Sequence, residues 1–378
     1  MQIKKIKLPF EVRKPTLSLG TQTKNTVCLA KGSFALLSPV HADLSNPRDF
    51  LSFKKAVEYF LKAKPSVIAY DLHPEYQSTK YALQLSAISY QLSAVQHHHA
   101  HIAACMAENA LQNQKVIGVA FDGTGLGTDE LIWGGEFLIC DYKNFKRKAH
   151  LKELPLLGAN KAILEPWRLA AFWLSESYGE EFLNLDIAFT KGIKKDEWQV
   201  LKKMYLTNFN SPQASSMGRL FDAVGSLVLA KYKVRFEAQL AIELEKLAQR
   251  YLISSQVPAR GYPFKIIKTK EGFIIDPANI FKQIVTDLKS KEKKEKIAYS
   301  FHLTVAEIVK KVCLLLRKET GIKNVVLSGG VFQNKLLLSL SSDLLYKQGF
   351  YVFTHKILFC NDSSVSLGQA VIASKLKR

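Results

Sequence analysis

Residues 116–142 read VIGVAFDGTGLGTDELIWGGEFLICDY. An apolar run at 116–123 reads as a buried strand ending in a glycine turn, and GGEFLICDY at 134–142 reads as a second strand. Residues 145–154 supply a third. The first part of the chain carries a similar beginning. TLSLG at 16–20 and NTVCLAKGSFALLSPV at 25–40 read as strands, with Lys31-Gly32-Ser33 as a hairpin turn. After each set the pattern alternates. Helical spacing at 48–63, 78–85 and 97–111 is interleaved with strands at 67–72 and 88–95. Later, helices at 301–318, 333–347 and 363–377 are interleaved with strands at 324–332 and 351–355. Residues 156–250 are mostly helical in pattern, and 251–298 are mixed and Lys-rich. Two rounds of strands followed by alternation predict two similar α/β lobes, 1–114 and 115–378, the second carrying a helical insertion at about 156–315. Ligands of such folds bind in the crevice outside the strand ends.

Lys and Arg outnumber Asp and Glu by 53 to 33, a formal net charge of +20. The cations are scattered, and the densest run, KSKEKKEK at 289–296, also holds two Glu, so a solvated basic surface is its ordinary meaning. Cys28, Cys105, Cys140, Cys313 and Cys360 form no C-x-x-C pair and are odd in number, which argues against a disulfide framework or zinc finger. The opening MQIKKIKLPFEVRKP lacks the apolar core of a signal peptide. No apolar run reaches the roughly 18–20 residues that span a bilayer. A cytoplasmic protein without membrane attachment is expected.

The sharpest local signal is Val95-Gln96-His97-His98-His99-Ala100-His101, with four of the nine histidines in five residues. His97 and His101 are i,i+4 and share one side of a helix, a spacing that lets two imidazoles hold one metal ion. No Glu lies between them, so a zinc-protease reading lacks its general base. Imidazole with carboxylate suits iron or zinc and does not choose between them. Three turns of small and hydroxyl residues follow strands: Gly20 to Thr26, Asp122-Gly123-Thr124-Gly125, and Ser328-Gly329-Gly330 with Gln333-Asn334. Their backbone N–H groups can approach phosphate or ribose closely. None is a Walker A or dinucleotide fingerprint. Together they resemble the phosphate and adenosine motifs of the actin/hexokinase-like (ASKHA, duplicated RNase H-like) superfamily. Asp71-Leu72-His73-Pro74 after a strand is polar chemistry or a capped turn. Glu165-Pro166-Trp167-Arg168 is an anion-binding Arg or a Pro-led helix start. Asp222 holds ribose hydroxyls or faces solvent, and Asn361-Asp362-Ser363 is a helix cap or a metal carboxylate from the far lobe.

DLHPEYQSTKYA (71–82), VQHHHAHIAACMAENAL (95–111), the 116–141 stretch, EPWRLA (165–170), SSMGRLFDAV (215–224), FEAQLAIELE (236–245) and VVLSGGVFQNKLLL (325–338) together resemble the C-terminal carbamoyltransferase domain of the HypF hydrogenase-maturation family. More distantly the chain is similar to the TsaD tRNA threonylcarbamoyl-transfer enzymes and the antibiotic O-carbamoyltransferases. The resemblance implies one divalent ion, iron or zinc, held by His97, His101 and Asp362, with Asp122 as a further ligand. It implies a carbamoyl adenylate or ATP site. Lys24, Asn25 and Thr26 would lie near the phosphate, with Gly123, Thr124 and Gly125 in the DGTG turn. Gly218, Asp222 and Glu237 would lie at the ribose, and Gly329, Gly330 and Asn334 at the adenosine. The implied reaction moves a carbamoyl group from the adenylate to the C-terminal cysteine of HypE, giving the precursor of a hydrogenase cyanide ligand. The rivals are an O-carbamoyltransferase of a small molecule, a tRNA modifier and a non-catalytic nucleotide-binding scaffold. The acylphosphatase, zinc-finger and YrdC-like parts of HypF are not visible, so the resemblance implies a separate or excised adenylate-forming partner. A nucleic-acid partner is not expected. Two family motifs depart here: Asn361-Asp362 is followed by Ser363-Ser364 in place of two glycines, and Phe236-Glu237-Ala238-Gln239 has Ala238 in place of glycine.

Overall fold

The computed structural model describes residues 2–85, 90–254 and 259–375. In chain order the strands are β1 (Lys4–Ser18), β2 (Thr23–Asn25), β3 (Cys28–Leu37), β4 (His41–Asp43), β5 (Val67–Asp71) and β6 (Gln91–Val95). They continue with β7 (Val116–Leu126), β8 (Ile132–Cys140), β9 (Phe145–Leu151), β10 (Leu154–Pro155) and β11 (Gln213–Ser216). β12 (Lys265–Lys268), β13 (Phe273–Asp276), β14 (Asn324–Ser328) and β15 (Tyr351–Phe353) complete the set.

The chain is a mixed α/β protein with two principal sheets. The smaller has the order β3-β1-β5-β6 and the larger runs β12-β13-β9-β8-β7-β14-β15. One pattern recurs in both. An antiparallel hairpin (β1 with β3, β7 with β8) offers its first strand to a parallel partner (β5, β14), which pairs in parallel with one more (β6, β15). The buried helix His97–Glu108 lies between the sheets with the helix Val365–Ala373. One core cluster joins Ile6, Leu8 and Ala30 of the small sheet, Ile102 and Met106, Val371, and Val116 and Leu138 of the large sheet. That burial explains why the histidine helix is apolar on every side apart from its histidines and Glu108.

Several sequence readings change. Lys31-Gly32-Ser33 is no hairpin turn; it lies inside β3, with Gly32 at φ +56 opposite Val12 at a register shift in the β1–β3 ladder. The unforeseen partner is the first half of β1, where Lys4, Lys5 and Lys7 hide the alternation of buried Ile6 and Leu8. The glycines after Asp122 do not end their strand. β7 runs on to Leu126, and the irregularity is a register shift against β8 between Phe121 and Gly125. The segment read as mostly helical also gives β11, which pairs with β8, and the mixed stretch gives β12 and β13 on the sheet's edge. Of the strand read at 88–95, residues 88 and 89 lie outside the described residues and β6 covers Gln91–Val95; the last helix is described as Val365–Ala373.

His302, fully buried in the helix Lys294–Thr320, gives a pH test of this core. Its Nδ1–H donates to Ala298 O at 2.7 Å and its Nε2 accepts from Asn334 Nδ2 at 2.8 Å. Burial pulls its pKa down from 6.5 to about 4. The unfolded chain takes up this proton first, so the stability due to the neutral ring is complete above pH 6.5 and is lost as pH falls toward 4. The loss should approach roughly 3 kcal/mol. Urea unfolding of the wild type and His302→Gln at pH 7 and pH 4.5 reads it: the variant should lose less stability on acidification.

Candidate metal and nucleotide site

The site is assembled by strand register. β5 and β6 are parallel with Asp71 opposite Val95, so both strands end together and Gln96 follows at the sheet's edge. Gln96 caps the next helix, its side-chain oxygen accepting from His99 N at 2.8 Å. His97 is therefore the first helical residue, and its Nδ1 meets Asp71 Oδ2 at 2.9 Å. One turn on, His101 points the same way. Asp122 comes from β7 of the large sheet. Asp362 comes from the turn that opens the helix Val365–Ala373.

One ligand atom from each of His97, His101, Asp122 and Asp362 lies within 4.8 Å of the other three. His101 Nε2 is 2.9 Å from Asp122 Oδ2 and 3.8 Å from Asp362 Oδ1. His97 Nε2 is 3.6 and 3.9 Å from the same two atoms. Yet His97 Nε2, His101 Nε2 and Asp122 Oδ2 are buried and make no well-directed hydrogen bond. Such orphaned polar atoms are costly unless something else binds them. Two imidazole nitrogens and two carboxylate oxygens suit a divalent zinc or iron ion, so the residues fit the metal that the sequence implied. Electrostatics agree. Burial alone would lower His97, but the Asp71 charge and contacts with Asp122 hold it well above its usual value. His101 is likewise raised against burial by Asp122 and Asp362. Burial would raise Asp122, and the two imidazoles hold it well below the carboxylate range. The same carboxylates that favour protons on the imidazoles would favour a cation in their place, so metal binding should release protons.

Asp71 fixes which nitrogen of His97 is free. With Nδ1–H donated to Asp71, any proton a bound ion displaces is the one on Nε2, whose lone pair would then face the ion, as in carboxylate–histidine–metal pairs. Asp71→Asn should weaken Zn²⁺ binding by about 10–100-fold with little change in fold. Isothermal titration checks this, and an unchanged affinity would remove Asp71 from the site.

Asp122 and Asp362 also line a cleft of about 450 Å³ whose walls include Gln22, Lys24, Tyr76, Gly123, Thr124, Gly218, Arg219, Phe221, Glu237, Ile242, Gly330 and Asn334. Its size suits a mononucleotide-sized ligand. Of the nucleotide candidates, Lys24, Gly123, Thr124, Gly218, Glu237, Gly330 and Asn334 stand on this wall, and the other five do not. Asn25 donates to Leu19 O and Thr21 O, shaping the loop behind Lys24. Thr26 donates to Ser363 O at 2.8 Å, tying that loop to the Asp362 turn. Gly125 packs on His97 and His98, where a Cβ would meet the rings at 2.6–2.8 Å. Gly329, at φ +100, lies on the Phe121 backbone. Asp222 is buried against Arg219 Nη2 at 3.0 Å, and burial raises its pKa to about 6. Arg219 also holds Glu237 at 2.9 Å, so it organises two acidic residues at the cleft wall.

Arg219 and Tyr76 are among the cleft residues to which the sequence reading gave no role, though both sit in motifs it quoted. Arg168 is committed elsewhere, to Glu165 Oε2 and Leu157 O, so EPWR is a structural knot. The two departures differ in their cost. Ser364 has φ −92, where a side chain is free, whereas Ala238 sits at φ +65, where a Cβ is strained.

Residues 118–369 match the model of the family described as Carbamoyltransferase, Kae1-like Domain, second subdomain, and residues 11–108 match the HypF Kae1-like domain. The chain is 34% identical to Carbamoyltransferase HypF of Synechocystis sp., across 96% of this chain and 48% of that protein. It is 34% identical to the Carbamoyltransferase HypF homolog of Cupriavidus necator, across 96% of this chain and 92% of that one. It superposes on full-length HypF in a phosphate- and nucleotide-bound crystal form with a TM-score of 0.90 and 40% identity, covering 98% of this chain and 47% of that one. The chain thus spans about half the length of several relatives it matches.

Proposed function

The chain belongs to the HypF carbamoyltransferase family, and on that premise we propose that it transfers a carbamoyl group from carbamoyl adenylate to the C-terminal cysteine of HypE. The observation that carries the reading is the shared pair of aspartates: Asp122 and Asp362 belong both to the four-residue cluster and to the nucleotide-sized cleft. We read the two sheets as the lobes of a duplicated actin/hexokinase-like fold, 1–114 and 115–378, with an insertion at about 156–315. The adenylate then lies between them.

In this reading Gly330 and Asn334 face the adenosine, Gly218 and Glu237 the ribose, and Lys24 the phosphate. Gly123 and Thr124 lie along the DGTG strand beside it. Asn25, Thr26, Gly125, Asp222 and Gly329 act one layer behind, by shaping the segments that carry these groups. His97, His101, Asp122 and Asp362 would hold one iron or zinc ion, which when bound supplies a Lewis acid for charge developing on the carbamoyl oxygen. Asp71 keeps His97 in the ligand tautomer. The Lys24 ammonium offsets the phosphate charge of the departing AMP. The acceptor sulfur attacks as the thiolate on the carbamoyl carbon, a C–S bond forms, and the C–O bond to the adenylate phosphate breaks with its electron pair leaving on AMP.

The acceptor thiol comes from another protein. None of the five cysteines lines the cleft, and burial pushes the least buried, Cys360, up to about 12. The thiocarbamate on HypE would be the precursor of the hydrogenase cyanide ligand. Carbamoyl adenylate would come from a YrdC-like and acylphosphatase partner, on another chain or on a longer form of this one. No helix among the described residues is long and apolar enough to cross a membrane, and we place the reaction in the cytoplasm.

The test supplies metal-loaded protein with carbamoyl adenylate and HypE. Mass spectrometry should find HypE carbamoylated at its last cysteine, with AMP released. Unmodified HypE in the presence of measured stoichiometric metal would dismiss this acceptor.

A further inference from the structure

The far end of the histidine helix carries a second buried cluster. Glu108, the last residue of that helix, and His355 have side chains only 1% and 3% exposed, and His355 Nδ1 meets Glu108 Oε2 at 2.8 Å. Glu108 also accepts the backbone N–H groups of Lys356 and Ile357, and that of Leu358 at 3.3 Å. The next residue, Asn109, donates to Thr354 O at 2.9 Å. Every residue from 354 to 358 is therefore bonded to the end of this one helix. Four residues later the same loop delivers Asp362. On its other side His355 Nε2 accepts from Ser328 Oγ at 3.0 Å, at the end of β14. Ser328 precedes Gly329-Gly330, and a Cβ at Gly330 would lie 2.9 Å from Asp122 Oδ1.

The order Ser–His–Glu is that of a hydrolytic triad. Ser328, however, has no exposed surface, and none of the three residues lines the cleft. A single neutral tautomer, with the proton on Nδ1, satisfies Glu108, His355 and Ser328 together. The bonds run from the helix that carries His97 and His101, through the loop that carries Asp362, to the strand beside Asp122.

We propose that Glu108 and His355 are positioning residues that set the reach of the Asp362 carboxylate to the His97–His101 pair. This rests on the reading of Asp362 as a metal ligand. A buried carboxylate with four donors cannot be removed without freeing at least three backbone N–H groups, so the loop must rearrange to find them partners. Outer-layer partners of metal ligands carry effects of this kind at a distance from the ion.

The test is Zn²⁺ titration calorimetry on the full chain for wild type, D362A, E108A and H355A, and for E108A/D362A and H355A/D362A. E108A and H355A should each bind Zn²⁺ about 10–100-fold more weakly than wild type. In the D362A background neither should weaken binding by more than about 2-fold, because both act through that carboxylate. If E108A does not fold, the H355A cycle decides alone. Wild-type affinity in the foldable single variants, or losses that multiply in the doubles, overturns the positioning role. Equal binding by wild type and D362A overturns the ligand reading itself, and the positioning role with it.

Discussion

The His97→Ala/His101→Ala double variant should retain no divalent metal at the cluster and should lose carbamoyl transfer by about 10³-fold or more. In the proposed reaction a bound cation would stabilise the charge developing on the carbamoyl oxygen by about 4 kcal/mol, which converts at 1.36 kcal/mol per tenfold to this magnitude. The substitutions remove both nitrogen donors and leave Asp122 and Asp362 alone. Two carboxylates do not reproduce a mixed nitrogen–oxygen site for zinc or iron. The variant also strips Asp71 of its imidazole partner, so some stability should be lost. His101→Ala alone keeps the His97–Asp71 bond at 2.9 Å and serves as the milder comparison. Metal content by mass spectrometry and single-turnover transfer, with circular dichroism as a control on folding, give the answer. Transfer at the wild-type rate by metal-free, folded variant protein would refute the role given to the cluster.

Gly368→Ala should be the most damaging single-methyl change in the chain, lowering stability by about 3 kcal/mol or more. Gly368 sits where the helix Val365–Ala373 crosses the helix His97–Glu108. A Cβ there would lie 1.8 Å from Ala100 O and 2.5 Å from Ala100 C. The obstacle is backbone in the middle of a buried helix, so no side chain can move aside. The helices must separate, which opens the core between the two sheets. Asp362 lies just before the second helix, and His97 and His101 flank Ala100 on the first. The same shift should therefore weaken Zn²⁺ binding. Thermal unfolding and Zn²⁺ titration of the variant test both halves. A melting temperature and an affinity equal to wild type would mean that the helices do not approach this closely.

The α/β class, most helices and the second set of strands were legible because their signals are local. Buried strands of the large sheet read as apolar runs, and the spacing of His97 and His101 already places both on one helical face. The first half of β1 was hidden because its outward positions around Ile6 and Leu8 are Lys, which mask the alternation of those two residues. The glycines after Asp122 read as a turn because glycine usually punctuates loops. In the fold they let β7 pass close to His97, His98 and Glu237. Asn25, Thr26 and Asp222 carry the right chemistry for a nucleotide, but the Asn25 amide nitrogen donates to Leu19 and Thr21, the Thr26 hydroxyl donates to Ser363 and the Asp222 carboxylate pairs with Arg219, contacts that spacing alone does not reveal.

The chemistry available to this protein is written in its sequence: two imidazoles one helical turn apart, aspartates after strands, and small residues at strand ends. Their union was decided by the tertiary structure. Parallel register brings Asp71 beside His97, and two helices crossing at Gly368 bring Asp362 across a separation of 265 residues from His97. Residue identity fixes what an atom can bind. Only packing of separate segments fixes which atoms stand within a few ångströms of one another, because that distance is set by strand pairing and backbone contact rather than by order along the chain.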